Sequence, residues 1–273
     1  MFDFAVDREK CVHCGACLSA CLRGILIDDG EGVPRLNPDN AALCSFCGHC
    51  SAVCPENAVV SPGYNGEWAI PLETASPVDF AAARAFILSC RSTRRYKDQA
   101  VPKEEVLELL DVARRAPTAS NLQAVRWVAI NDREKAKRFT ALIMDWLDTV
   151  ARYDPGMSGR YNVDNMLANY RNGYDPILRG TSNAVFALTD KDVVWGRTDA
   201  AIALTYFCLA AHARKIGSCW CGFGVTALKT FAPLREFLGL QPNDLVHAMA
   251  FFGYPDIVFH AIPPRKPLRL TWV

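Results

Sequence analysis

CVHCGACLSAC (Cys11–Cys21) and CSFCGHCSAVC (Cys44–Cys54) decide the reading of the first part of the chain. Each is C-x2-C-x2-C-x3-C, and each cysteine of the second run lies 33 positions after its counterpart, so eight of the twelve cysteines belong to one internal duplication. Three thiolates two residues apart wrap one corner of an iron-sulfur cubane and leave its fourth iron open, whereas zinc sites usually take a ligand pair from each of two loops. Disulfides within such triplets would close strained loops. In runs of this spacing the fourth ligand comes from the other copy. That assigns Cys11, Cys14, Cys17 and Cys54 to one 4Fe-4S cluster, and Cys44, Cys47, Cys50 and Cys21 to a second. His13 and His49 stand between ligands, either as exposed loop residues or as hydrogen-bond donors that tune a potential.

The first sixty or so residues resemble the bacterial two-cluster ferredoxins, which implies a small pseudo-twofold unit with a short hairpin after each ligand run. One departure is that the first run ends Cys21-Leu22 where the second ends Cys54-Pro55. The missing proline removes a stiff turn and no ligand.

The 273-residue chain is 51% apolar with a net charge of +1, enough for a large core and no electrostatic case for nucleic acid or an anionic membrane. The start, MFDFAVDREK, is charged and leads straight into cluster ligands, so no signal peptide is expected. Many thiols without a secretory signal predict a reducing cytoplasm. The longest apolar run, around Ala200 to Ala213, contains Thr205 and His212 and is too short to span a bilayer.

Ile25-Leu26-Ile27 and Ala58-Val59-Val60 read as equivalent short strands. Residues 61–76 form an aperiodic linker whose Trp68 and Ile70 are expected to pack. Ser76 as N-cap with Pro77 behind it predicts a helix to about Ser89, and a second helix follows Pro102 with Val106, Leu109, Leu110 and Ala113 inward. Strands are expected at Arg126–Asn131, over NAVFALT and over DLVHAMAFFGYP. Further helices are expected at 133–150, 199–215 and 226–238. Residues 151–183 carry little pattern and read as an excursion that covers something. The tail AIPPRKPLRLTWV is too rich in proline for a helix.

Arg91-Ser92-Thr93-Arg94-Arg95 offers guanidiniums and hydroxyls suited to a phosphate. With PTASNLQAVRW, DPILRG, GSCWCGFG and PPRKPL in order behind it, the chain from about 85 to 270 resembles the nitroreductase family of FMN enzymes. The resemblance implies that Arg91, Ser92, Arg94 and Arg265, with Lys266 as a weaker candidate, hold the FMN phosphate. It places Thr118, Ser120, Asn121 and Gln123 beside the ribityl chain and ring, and the backbone of Cys219, Trp220, Cys221 and Gly222 against the flavin face. Cys90 stands where the family has a first arginine, and Ala124-Val125 replace its Pro-Trp. Arg95 or Lys266 are the available compensating cations. Cys219 and Cys221 are either a redox pair or, the favoured reading, two small buried residues in a tight turn.

These readings give an α+β chain: a ferredoxin-like 2x4Fe-4S domain (1–60), the linker (61–76) and a nitroreductase-like α/β/α domain (77–273) with a central mixed sheet and helices on both faces. The family resemblance further implies a homodimer with FMN sites at its interface. The expected activity is electron passage from an external, ferredoxin-like donor through the clusters to FMN. From there electrons reach a small conjugated acceptor, of nitroaromatic, quinone, enone or halophenol class. A flavin relay to a protein partner, an NAD(P)H-dependent flavin reductase and a redox sensor are the alternatives. No acid or base is evident, and Tyr161, Tyr170, Tyr174 and Arg179 are the residues offered at the acceptor side, Arg179 more as a structural link than as a contact.

Overall fold

The computed structural model describes residues 4–61 and 78–273. The expected packing of Trp68 and Ile70, the Ser76–Pro77 cap and all of the linker but Ser61 fall outside the described residues. The chain divides into two compact units, one gathering the segment up to Val78 together with Ala119–Leu122, the other holding Asp79–Thr118 and Gln123–Val273.

The smaller unit is built on the duplication. Its elements are β1 (Ala5–Val6), α1 (Ala16–Ala20), β2 (Leu26–Asp28), β3 (Pro34–Leu36), α2 (His49–Ala52) and β4 (Val59–Val60). β1 pairs antiparallel with β4, and β2 with β3. Left-handed backbone recurs at the 33-residue spacing, at His13 and Phe46, Gly15 and Gly48, and Gly24 and Asn57. Gly15 and Gly48 each start a short helix with φ of 67° and 71°, conformations that L side chains adopt at a penalty. Cys17, Leu26 and Val59 are the buried centre of this unit.

In the larger unit the helices are α3 (Phe80–Ser89), α4 (Lys103–Ala113), α5 (Arg133–Tyr153), α6 (Pro155–Tyr161), α7 (Val163–Arg171), α8 (Gly196–Ala213), α9 (Gly222–Thr230) and α10 (Ala232–Phe237). The strands β5 (Arg126–Asn131), β6 (Asn183–Asp190), β7 (Gly217–Trp220) and β8 (Asp244–Gly253) form one sheet in the order β5-β6-β8-β7. Its three ladders are antiparallel, and a parallel bridge joins Ser92 to Ser218. Along β6 alternate side chains face opposite layers. Ala184, Phe186 and Leu188 pack with Phe139, Ile143 and Leu147 of α5, while Val185 and Ala187 pack with Leu109 of α4 and Leu204 and Phe207 of α8. A strand covered on both faces reads as a continuous apolar run, which is why NAVFALT is legible. Each fully buried Leu, Ile or Phe contributes about 1.5–3 kcal/mol.

Several local expectations change. α3 is capped by Asp79, whose carboxylate accepts from the Ala82 amide. Residues 151–183 are largely helical: Asp154 caps α6 through the Met157 amide, and Asn162, at φ 52°, turns the chain into α7. The glycines and most of the polar residues that hid this periodicity are exposed, Ser158 being buried. The helix expected over 226–238 is two, separated at Phe231 with Pro233 opening the second. GSCW, expected as a turn, is the edge strand β7. The tail after Tyr254 is non-helical and mostly exposed.

Candidate functional site

The duplication sets the geometry of the first site. Each run closes its helix and returns an amide to its last thiol: the Ile25 N–H donates to Cys21 Sγ at 3.3 Å, and the Ala58 N–H donates to Cys54 Sγ at 3.1 Å. Cys11, Cys14, Cys17 and Cys54 line one small cavity together with Gly15, His13 and Val59. In the second run burial pushes the Cys50 thiol up to about 11, with the nearby Cys47 and Cys21 adding to the rise, as burial raises Cys17 with Cys54 and Cys14 adding to it. Cys54 thus joins thiols of the first run around one cavity, and Cys21 lies near Cys47 and Cys50 of the second. No three His, Cys, Asp or Glu side chains among the described residues converge as they would on a single ion. All eight thiols are free, and the donor set, thiolates supplemented by amide-to-sulfur bonds, suits iron-sulfur clusters. His13 is exposed and its Nδ1 lies 2.8 Å from the Glu31 carbonyl; His49 is exposed on α2.

In the larger unit the chain from Arg91 to Tyr96 is stitched to the sheet edge. The Thr93 amide donates to the Ser218 carbonyl at 2.9 Å, and the Tyr96 hydroxyl donates to the Thr93 carbonyl at 2.6 Å. Thr93 is buried against Gly217, where an added Cβ would lie 2.3 Å from the threonine Oγ1. The loop is thereby held rigidly while Arg94 projects toward a cavity of about 800 Å³. Cys219, Trp220, Cys221 and Gly222 line the same cavity, joined by Arg160, Arg179 and the aromatic side chains of Tyr161, Phe223 and Phe251. Its size falls within the range of cofactor pockets. Three guanidiniums and several flat walls suit a phosphate joined to a planar ring.

DPILRG shapes the opposite wall. The Asp175 carboxylate accepts from the amides of Ile177, Leu178 and Gly180 and from the Thr140 hydroxyl, fixing the loop that presents Ile177 and Arg179. The Arg179 guanidinium donates to the Tyr174 hydroxyl at 2.5 Å. Tyr170 and Tyr174 line a different cavity, while Tyr161 stacks edge-on against Phe223. Cys219 and Cys221 are free and buried, one in β7 and the other capping α9, and burial pushes the Cys221 thiol up to about 11.

Other expected residues lie elsewhere. Ser92 forms its bridge beside the cavity, and Arg91 is half-buried next to it. Arg95, a possible compensating cation, pairs with Asp256 at 3.5 Å. Arg265 and Lys266 lie in the exposed tail, outside the lining of this cavity. Thr118 Oγ1 accepts from the Gln123 amide, and Ser120, Asn121 and Gln123 all have φ near 50°, a concentration of costly backbone of the kind found at functional loops. Asn121 belongs to the smaller unit, where its Nδ2 donates to the carbonyls of Ser45 and Phe46 between Cys44 and Cys47. Sequence reasoning missed Arg160, Met157, Phe223 and Phe251. Their signal was obscured because α6 had not been recognised as a helix and β8 was read only as core.

The family model described as the nitroreductase family matches residues 87–254, and a 4Fe-4S binding domain model matches residues 4–26. A putative NADH dehydrogenase/NAD(P)H nitroreductase of Archaeoglobus fulgidus is 27% identical over 175 residues, 62% of this chain and 83% of that protein. The probable oxidoreductase YjgC of Bacillus subtilis is 36% identical over 74 residues, and the match spans only 8% of its length. Among solved structures, a nitroreductase with bound FMN from Bacteroides fragilis superposes with a TM-score of 0.55 at 20% identity, covering 70% of this chain and 97% of that one.

Proposed function

The chain belongs to the nitroreductase family, and on that premise we propose that it is an iron-sulfur flavoprotein oxidoreductase that gathers electrons singly at two 4Fe-4S clusters and delivers them through FMN to a small conjugated acceptor. The observation that carries the reading is the presence, in one chain, of eight free cysteines in two cluster-type runs and a cavity walled by Arg94 and the Cys219–Gly222 stretch. Clusters supply one-electron carriage, and a flavin accepts electrons one at a time and gives up a pair. Clusters even ~60 mV below a flavin would favour its two-electron reduction roughly a hundredfold.

The chain's own residues divide the remaining work. Cys11, Cys14, Cys17 and Cys54 would hold one cluster, and Cys44, Cys47, Cys50 and Cys21 the other, with the amides of Ile25 and Ala58 on the crossed thiols. Arg94, with Arg91 and Ser92 behind it, would take the phosphate. Tyr161, Phe223 and Trp220 would exclude water from the acceptor side. Arg265, Lys266, Thr118, Ser120 and Gln123, which do not line this cavity, fit a homodimer in which each flavin site draws on both chains. α3 supports that arrangement, having no buried residue and exposing Phe80 at 82% and Ile87 at 57%. α8 packs one stripe on its own sheet and leaves Tyr206 exposed.

The test is anaerobic. Protein reconstituted with iron, sulfide and FMN is mixed with dithionite or reduced ferredoxin, and flavin absorbance is followed beside the cluster band. The reading expects bleaching of both and re-oxidation by a nitroaromatic or quinone. A flavin that stays oxidised while the clusters are reduced sinks it, and equally fast bleaching by NAD(P)H in a cluster-free Cys-to-Ser protein would assign the donor role to nicotinamide.

A further inference from the structure

A second cavity in the larger unit, of about 430 Å³, is lined by residues 245–249 of β8, the stretch preceding the four residues that β7 pairs with. Arg197 enters it from the first turn of α8, Lys229 from the last turn of α9, and His247 from β8, and among the described lining residues there is no carboxylate. The remaining wall is mostly apolar, with Trp220, Val225 and Leu245.

His247 is placed there by a bulge. Ala187 pairs with Ala248 and Leu188 with Val246, so His247 is an extra residue in the ladder, a device that re-aims one side chain. Its Nε2 lies 2.9 Å from Thr189 Oγ1, whose hydroxyl donates to the Asp190 carbonyl. The threonine oxygen is therefore the acceptor from Nε2–H, which fixes the ring. At Gly196 a Cβ would lie 2.4 Å from Thr189 Oγ1 and 2.9 Å from His247 Nε2, so glycine lets the start of α8 come this close. Burial, and then the charges of Lys229 and Arg197, hold the imidazole below its ordinary value, as expected where positive groups share a recess without a counter-charge.

Trp220, Cys221, Gly222 and Thr226 line both this cavity and the larger one. A group seated on the Arg197 and Lys229 side chains can thus carry a flat extension past Trp220 toward the first cavity. We propose that the second cavity is an anion site that takes the carboxylate or phosphate of an acidic, conjugated ligand. Its placing of that ligand as the acceptor rests on the flavin reading above; the anion site itself does not.

Two measurements separate the claims. Benzoate, inorganic phosphate and the neutral benzamide are titrated calorimetrically into the holoenzyme and into the double variant Arg197→Gln, Lys229→Gln. Both substituted side chains are exposed, so the fold is expected to survive. The proposal expects at least one anion to bind and to weaken about tenfold or more in the variant, with no such change for benzamide. Stronger binding of benzoate assigns the site to carboxylates, and stronger binding of phosphate to phosphates. Equal anion affinity in both proteins, or no anion binding to the wild type, overturns it. Separately, the ratio of KM for a nitrobenzoate to KM for the matching nitrobenzamide should rise about tenfold in the variant. An unchanged ratio with active enzyme overturns the acceptor assignment, and absence of turnover with both compounds counts against the flavin reading while calorimetry still decides the anion site.

Discussion

Among individual residues, Arg94 carries the most. The Ser218 carbonyl holds Thr93 and the Thr93 carbonyl holds the Tyr96 hydroxyl, so the arginine between them starts from a fixed backbone. Arg95 is occupied by Asp256 and Cys90 stands in place of a further cation, so of the stretch from Cys90 to Arg95 only Arg94 lines the cavity. A charge-assisted bond contributes about 1.5–3 kcal/mol, so Arg94→Ala should lower FMN retention about tenfold or more, measured as flavin content after gel filtration. Full flavin occupancy after that step would refute the assignment. The residue types of both sites were legible because chemistry dictates them: thiols at C-x2-C-x2-C-x3-C, and arginine with serine for a phosphate. What was not legible is the company they keep. Nothing in PTASNLQAV says that the Asn121 amide serves the carbonyls of Ser45 and Phe46, because that contact spans about 75 positions of chain.

Elements were readable in proportion to their regularity. α4, α5, β5, β6 and β8 announce themselves through period and burial, and Ala136, Phe139, Ile143, Trp146 and Val150, at helical spacing on α5, are all buried. β7 was hidden because four residues, glycine, serine, cysteine and tryptophan, are too few to show an alternation, and its identity as a strand comes from pairing with β8. Its position depends on close approach: Gly217 meets Thr93 at distances that leave no room for a methyl group. Gly217→Ala should therefore push β7 from the Arg91–Tyr96 loop. The expected cost is about 1–3 kcal/mol, seen as a Tm several degrees lower together with weaker flavin retention. A variant with wild-type Tm and full flavin would show that the edge tolerates the displacement. α6 and α7 were hidden for the opposite reason, since their glycines and asparagines look like loop until Asp154 and Asn162 are seen to act as caps.

At the scale of the whole molecule, the two-cluster reading makes a stoichiometric prediction. Protein purified without air should hold about eight irons per chain, and Cys54→Ser should lose about half of them, because the crossed thiol belongs to one cluster only. Retention of all the iron in that variant would break the crossed assignment. Organisation at this scale was legible as a fusion of two patterns, but not in how the chain shares itself out, since Ala119–Leu122 fold with the N-terminal segment from which they are distant in sequence. The cysteine-rich unit is for that reason not a portable cassette. A graft of residues 1–78 into a foreign host would leave behind the carboxamide that braces the Cys44–Cys47 bend, and the host would have to present an amide of its own at that spot for the transplanted loop to keep its shape.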